Sequence, residues 1–337
     1  MSHTLLCCDW GTSSFRLRLV NKDTRQILGE VINPEGIAST FNAWKNQAKT
    51  NGVSRKQFFQ EQLRHHIQNL AAKLHTNLDA TPLVLSGMAS SSLGLEELPY
   101  AELPFAVDGS QAGIRHFERQ PDFPHDLLLI SGIRTDGDVM RGEETQLVGL
   151  IHLMDLAGIT GESIFIFPGT HSKHITVRQQ QVISFQTFMT GEIFNLMAGA
   201  SILKDSIESP DSAEIKEPEL NGFRSGVRES GNSTILHGLF TVRTNQLFRN
   251  LTKKQNFYYL SGLLIGTELR SLLPKEAAPI ILSSGSNLFK FYKLALEELQ
   301  LLNDTIIIPP EFIDKATIAG QVTIFQQQQV PLIKPTK

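Results

Sequence analysis

The stretch CCDWGTSSFRLRLV, residues 7–20, decides how this chain is built. An apolar run that begins at residue 4 ends on Asp9, Gly11 to Ser14 supply a tight turn dense in hydroxyls, and an alternating strand follows from Phe15. Backbone N–H groups in such a turn, beside residues small enough for close approach, form a nest for phosphate oxygens. The stretch SIFIFPGTHSKHITVRQQQVISFQTF, residues 163–188, has the same plan. Aligning Gly11-Thr12 with Gly169-Thr170 gives strand, Gly-Thr-x-Ser turn, alternating strand, polar turn and strand in both copies. The copies start about 160 residues apart, the length of one domain. The sequence therefore predicts two related domains, 1–160 and 161–337, each presenting one hydroxyl-rich turn. Two nests facing one cleft would clamp a polyphosphate.

The 337 residues, 41% apolar and 19% charged, suffice for two proper cores. A net charge of −3 predicts no general attraction to nucleic acid or to an anionic membrane, so any bound anion must be held locally. No apolar stretch approaches the roughly 20 residues of a membrane span, and MSHTLL lacks the charged start of a signal peptide. A cytoplasmic protein is expected. Cys7 and Cys8 are neighbours on a strand and point to opposite faces; they read as small core residues and make neither a disulfide nor a metal site.

Elsewhere strands and helices alternate, the pattern of α/β architecture. Residues 4–9, 15–20 and 25–33 read as hairpin-linked strands. Over 54–75, Phe58, Phe59, Leu63, Ile67, Leu70 and Leu74 form one stripe of a helix that should pack on the sheet, which leaves His65 and His66 as solvated residues. Strands running into polar loops are read at 81–94 and 125–138. Leu147, Leu150, Ile151 and Met154 mark a helix from Gly142 to about Ala157. Residues 204–232, rich in Ser, Pro and Glu, read as a polar excursion of the second domain, and KATIAGQVTIFQQQQ, 315–329, as a closing helix.

Five strings extend the two turns into a family resemblance: DWGTSSFRLRL at 9–19, VMRGEETQLVGL at 139–150, PGTHSKHI at 168–175, FMTGEIF at 188–194 and YLSGLLIGTEL at 259–269. Together they resemble the 2-dehydro-3-deoxygalactonokinase family. The two hairpins look like the phosphate 1 and phosphate 2 loops of the wider actin, hexokinase and Hsp70-type ATPase superfamily. The resemblance implies an α/β fold of two ribonuclease H-like domains, the actin-like ATPase and sugar kinase fold, with the active site in the interdomain cleft. It also implies a carbohydrate kinase that moves a phosphoryl group from ATP, with Mg²⁺, to the 6-hydroxyl of 2-dehydro-3-deoxy-D-galactonate in galactonate breakdown. A kinase of the same fold acting on another sugar or sugar acid, such as 2-keto-3-deoxygluconate, is the near alternative. A nucleotide or sugar sensor is the distant one; the repressors that share this fold carry a DNA-binding extension, whereas this chain enters its first strand by residue 4 and has no basic patch. A small sugar acid and ATP are thus the expected partners, with a homodimer as the default assembly.

Phosphoryl transfer is mostly positioning and charge stabilisation, so roles can be distributed. By the resemblance Asp9 holds Mg²⁺, usually through water, as suits a hard cation; its plainer reading is a residue capping its own turn. Gly11, Thr12, Ser13 and Ser14 offer phosphate donors, and Arg16 would reach a phosphate or the substrate carboxylate, or else make a strand-face salt bridge. On the second turn Gly169, Thr170 and Ser172 are donors to the β- or γ-phosphate, with His171 and Lys173 adding charge or hydrogen bonds. Phe167 stands where Asp9 does, so the metal falls to one side. His174, aligned with Arg16, is left without a role.

The attacking hydroxyl needs a base, and DGDVMRGEETQ, 136–146, offers four carboxylates. Asp138, placed ahead of the helix as in hexokinase-like kinases, is the choice, with Glu143 and Glu144 as alternatives whose plainer reading is helix-start electrostatics. Arg141 suits the substrate carboxylate, or a salt bridge to those glutamates. In SGMASSS, 86–92, Ser90 and Ser91 would bond sugar hydroxyls or their own turn. PIILSSGSNLFKFYKLALEEL, 279–299, has the strand, turn and helix layout of the superfamily's adenosine motif, with Gly285 and Ser286 at the turn.

Overall fold

A computed structural model of the chain describes residues 3–156, 161–210, 214–273 and 278–329. They form two compact α/β units. The first takes the chain up to Thr160, then Arg178–Ser184 and the chain from Phe312; the second takes Gly161–Val177 and Phe185–Glu311.

The first unit opens on β1 (Thr4–Trp10), β2 (Phe15–Asn21) and β3 (Ile27–Asn33), followed by α1 (Ile37–Asn51), α2 (Arg55–Leu74) and β4 (Leu83–Gly87). The short strands β5 (Ala101–Glu102), β6 (Phe105–Ala106) and β7 (Ile114–Phe117) lead to β8 (Leu127–Ile130). A small hairpin of β9 (Ile133–Arg134) and β10 (Val139–Met140) then feeds α3 (Glu143–Leu153). The sheet runs β3-β2-β1-β4-β8-β7, with β1, β4 and β8 parallel and β2 antiparallel to β1.

The second sheet starts with β11 (Glu162–Phe167), β12 (Ser172–Arg178) and β13 (Gln181–Phe188), whose residues up to Ser184 count with the first unit. Four helices follow, α4 (Thr190–Ala200), α5 (Glu217–Glu229), α6 (Ile235–Leu247) and α7 (Lys253–Leu269), and then β14 (Ile280–Ser283), α8 (Ser286–Glu298) and β15 (Thr305–Ile308). This sheet runs β15-β14-β11-β12-β13-β6, with β6 antiparallel to β13. Counting the five main strands of each unit in chain order, both sheets read third, second, first, fourth, fifth, with the first, fourth and fifth parallel. The repeated turn seen in the sequence thus sits in a repeated topology.

The core of the first unit follows from the predicted stripe on α2. Phe59 and Leu63 are fully enclosed with Trp10 and Phe15, and burying side chains of this size stabilises by about 1.5–3 kcal/mol each. Ser54 starts α2 with a capping box, its hydroxyl accepting from the Gln57 N–H while the Gln57 side chain accepts from the Ser54 N–H. His66 departs from its expected solvation: it is buried against Phe15, ring centroids 4.3 Å apart, and burial lowers its pKa. The reason is helical spacing, since residues 59, 63, 66 and 70 share one face. Cys7 and Cys8 are free and buried, and burial pushes the Cys7 thiol up to about 12. Among the described residues no helix is long and apolar enough to cross a membrane.

Three further sequence expectations change. The closing helix, α9 (Phe312–Gln329), belongs to the first unit, whereas the boundary after residue 160 put it in the second. It lies on α3 where two glycines meet: a Cβ on Gly149 would come 1.8 Å from the Ala316 carbonyl oxygen, and one on Gly320 would come 1.8 Å from that of Thr145. Gln321 then donates to the Cys8 carbonyl (2.7 Å) and the Ser86 hydroxyl (2.8 Å), locking α9 to β1 and β4. Within the supposed polar excursion, residues 217–229 form α5, whose Leu220, Phe223 and Val227 are buried at helical spacing against α7; residues 211–213 lie outside the described chain. Finally α3 ends at Leu153, and the Ala157 end of the expected helix also lies outside the described residues.

Candidate active site

The first turn is built by its own backbone. The Gly11 N–H donates to the Ser14 carbonyl (2.9 Å), and α1 closes over the turn, the Ile37 and Ala38 N–H groups donating to the Gly11 (2.9 Å) and Thr12 (3.2 Å) carbonyls. Gly36 permits this closure, because a Cβ there would lie 2.2 Å from the Thr12 oxygen. Thr12 and Ser13 remain exposed at the tip, and Gly11 and Ser14 half-buried.

Asp9 and Arg16 are cross-strand partners in the β1–β2 register, and Arg16 Nη1 donates to Asp9 Oδ2 at 3.1 Å. Both side chains keep some exposure, 23% for Asp9 and 36% for Arg16, so neither is sealed. Burial raises the Asp9 carboxyl above the usual Asp range, and the Arg16 charge opposes the rise. The expected strand-face salt bridge is therefore present, made with the acid assigned to the metal.

The carboxyl ends of β1 and β4 meet the start of α3. Gly87 has φ +82°, and a Cβ on it would lie 3.1 Å from Asp9 Oδ1; a Cβ on Gly142, at φ +110°, would lie 3.4 Å from the Gly87 Cα. The string following Gly87 brings its serines to Arg141: Nη1 donates to the Ser90 carbonyl (2.6 Å) and hydroxyl (2.5 Å), and the guanidinium lies 4.2 Å from the centre of the Tyr100 ring. Ser91 instead donates to its own turn at the Met88 carbonyl, 2.7 Å away. Tyr100 carried no sequence signal, since only the fold stacks it under the arginine.

The three candidate bases occupy different surroundings. Glu143 accepts the Arg141 N–H at 3.1 Å. Glu144 is buried, accepts from the Gly142 N–H (2.7 Å) and the Thr145 hydroxyl (2.9 Å), and is pushed up to about 7 by burial first and by the Glu143 charge second. Asp138 stands half-exposed at the β9–β10 turn, its Oδ1 accepting the Val139 N–H at 2.7 Å. Arg141 makes its backbone link to Glu143 and gives its guanidinium to Ser90.

The second turn is held from behind. Thr170 and His171 are exposed and Gly169 is half-buried, but Ser172 and Lys173 are buried. Ser172 Oγ accepts the Gly169 N–H (3.3 Å) and contacts the Tyr292 hydroxyl (2.8 Å). Its hydroxyl therefore shapes the turn, where the sequence reading had it offered to phosphate. Lys173 Nζ donates to the His171 carbonyl at 3.0 Å. His171 is paired with Glu192 of α4, and the Glu192 N–H donates to the Thr170 carbonyl at 3.1 Å. His174, buried on β12, bonds Glu268 at 3.1 Å. Burial and the neighbouring Glu268 charge push the Tyr292 phenol well above its usual range, so it stays protonated. Gly285 and Ser286 are exposed at the open start of α8, with Ser283 and Ser284 buried behind them.

Among the described residues no cluster of three or more His, Cys, Asp or Glu could hold a metal. One half-buried carboxylate on a phosphate-type turn suits Mg²⁺, which keeps several waters and is bound by one or two carboxylates together with substrate phosphates.

The chain matches the family model of 2-keto-3-deoxy-galactonokinase over residues 9–324. A curated relative from Rhizobium meliloti (strain 1021), assigned as a 2-dehydro-3-deoxygalactonokinase, is 31% identical over 298 residues, 86% of this chain and 87% of the relative. The 2-dehydro-3-deoxygalactonokinase of Escherichia coli (strain K12) is 31% identical over 65% of this chain and 71% of its own length. A crystal structure from Sinorhizobium meliloti, assigned to the same activity, superposes with a TM-score of 0.76 at 28% identity and covers 97% of this chain and 99% of that one. The repeated sheets, the two Gly-Thr-x-Ser turns and a match spanning nearly every described element agree, and the chain belongs to the 2-keto-3-deoxy-galactonokinase family of carbohydrate kinases.

Proposed function

We propose that this protein transfers the γ-phosphoryl group of ATP to the 6-hydroxyl of 2-dehydro-3-deoxy-D-galactonate, in the cytoplasm. The observation that supports it best is the meeting of Asp9, Gly87 and Gly142 at the carboxyl ends of β1 and β4, with Arg141 and Ser90 in the adjoining string. That is where open α/β sheets bind ligands.

The exposed tips at Thr12-Ser13 and Thr170-His171 supply N–H and hydroxyl donors to the ATP phosphates, and the Gly285-Ser286 turn receives the nucleoside. Asp9 would hold Mg²⁺, which neutralises phosphate charge when bound. Arg141, lying over the Tyr100 ring, presents its guanidinium to the substrate carboxylate, and its bonds to Ser90 help to hold it there. Asp138 takes the proton from the 6-hydroxyl as that oxygen bonds to the γ-phosphorus; the bond to the bridging oxygen breaks and ADP leaves. Glu144 is set aside because it is sealed with both oxygens engaged; Asp138 and Glu143 each accept one backbone N–H, and Asp138 is preferred for its place ahead of α3, where the family resemblance puts the base.

The test is ADP release by purified protein with Mg²⁺, ATP and a panel of sugars, sugar acids and 2-keto-3-deoxy acids, including the gluco epimer. The galacto acid should give the highest kcat/KM, and Asp138→Asn should remove most of kcat. A panel in which no member exceeds the water background would sink the proposal.

A further inference from the structure

The strings FMTGEIF and YLSGLLIGTEL point to the family but receive no task from the reaction as described. In the second unit they meet. Glu268, near the end of α7 and 2% exposed, lies at the centre of donors from three elements. Its Oε2 accepts from the Tyr292 hydroxyl of α8 at 2.7 Å and from the Thr190 hydroxyl at the first residue of α4, and its Oε1 accepts from His174 Nε2 of β12 at 3.1 Å.

The chain of bonds has one direction. A carboxylate accepts only, and the single Tyr292 proton goes to it, so the Ser172 hydroxyl must donate to the Tyr292 oxygen. Ser172 in turn accepts the Gly169 N–H, the first donor of the turn. Order thus passes from Glu268 through Tyr292 and Ser172 into the backbone of Gly169. A second route runs through Thr190. It anchors the start of α4, where a Cβ on Gly191 would come 2.7 Å from the Gly169 carbonyl oxygen, and where the Glu192 N–H bonds the Thr170 carbonyl at 3.1 Å.

We infer that Glu268 is a positioning residue for the second phosphate turn, fixing its inner side through Tyr292 and Ser172 and its flank through Thr190 and α4. It touches no reacting atom. Its role is to hold Gly169, Thr170 and His171 in one geometry before ATP arrives, which lowers the reorganisation left for the reaction. The inference rests on the kinase reading for its effect on kcat, and on nucleotide binding alone for its effect on affinity.

The experiment uses the full chain and the pair Thr190→Val, which replaces the hydroxyl by a methyl, and Thr190→Ser, which keeps the hydroxyl, with Tyr292→Phe, which removes one oxygen and keeps the ring. Steady-state kinetics and calorimetric titration with ADP and with adenosine are run well below each variant's Tm. Thr190→Val and Tyr292→Phe should each lose on the order of tenfold or more in kcat, because small misplacements of a phosphate-holding group are costly. Both should weaken ADP binding while leaving adenosine binding and the KM for the sugar acid unchanged, and Thr190→Ser should restore all of it. Variants that lower Tm yet keep wild-type kcat and ADP affinity overturn the inference, as does a Thr190→Ser that fails like Thr190→Val. If wild-type protein phosphorylates no sugar acid, the kinase reading fails separately, and the ADP-to-adenosine comparison still decides the role of Glu268.

Discussion

Replacing Glu144 by Gln should remove a pH dependence of stability that the wild-type fold builds in. Glu144 is buried at the start of α3, and burial with the nearby Glu143 charge pushes its carboxyl from 4.5 to about 7. The folded protein therefore holds this proton more tightly than the unfolded chain does, and unfolding releases it. Stability consequently falls as pH rises from about 4.5 to about 7, and is level above that. A gap of roughly 2.5 pH units at about 1.36 kcal/mol each amounts to about 3 kcal/mol. For a unit of this size that is a difference of roughly 6–12 °C in Tm. Glutamine fits the site, because its carbonyl can accept the Gly142 N–H and its amide can donate to Thr145 once that hydroxyl rotates. Melting both proteins at pH 5 and pH 8 separates this group from every other titration. The Tm of Glu144→Gln should gain on wild type between the two pH values by most of that amount, since pH 5 already lies slightly above the unfolded pKa. An unchanged difference between the two proteins would mean that Glu144 is not held protonated by its burial.

Further outcomes follow from the first unit. Arg141→Lys keeps the charge but loses the guanidinium contact with the Tyr100 ring and the paired bonds to Ser90, so the KM for the sugar acid should rise by about tenfold or more while that for ATP holds; equal changes in both would contradict the carboxylate assignment. Gly36→Ala would drive its Cβ against the Thr12 carbonyl and deform the first turn, which should appear as a raised KM for ATP and a lowered Tm. Asp9→Asn should increase the Mg²⁺ concentration needed for half-maximal rate; an unaltered Mg²⁺ curve would return Asp9 to the role of a turn and salt-bridge residue.

The two turns were legible because their signal is local. A strand ending in Gly-Thr-x-Ser needs only its own residues to form, and the spacing of its copies gave the repeat. The stripe on α2 was legible for the same reason, including the burial of Phe59 and Leu63, whereas His66, whose chemistry suggests solvation, shares their face and is buried with them. What could not be read is anything that depends on two distant elements. Nothing in KATIAGQVTIFQQQQ says that Gly320 fits against Gly149, and nothing in the Pro- and Glu-rich 204–232 segment announces that Leu220, Phe223 and Val227 have a partner in α7. Glu268 was likewise visible only as a letter in a family-like string, since its partners come from β12, α4 and α8. The second turn, dense in hydroxyls, points one of them, Ser172, inward to the Tyr292 hydroxyl, which in turn donates to that buried carboxylate.

The seating of α9 on α3 sets an order of events during synthesis. The sheet of the first unit is complete on paper by residue 130, yet α9, whose Gln321 bonds the Cys8 carbonyl and the Ser86 hydroxyl, leaves the ribosome only after the whole of Gly161–Val177 and Phe185–Glu311 has been made. The nascent first unit must wait with the α9-facing side of α3 bare while the second unit, an insertion in its sequence, has every segment it needs. The later-translated unit is thus the one able to finish folding first, and a chaperone that shields the waiting α3 face would serve this protein better than one that acts after release.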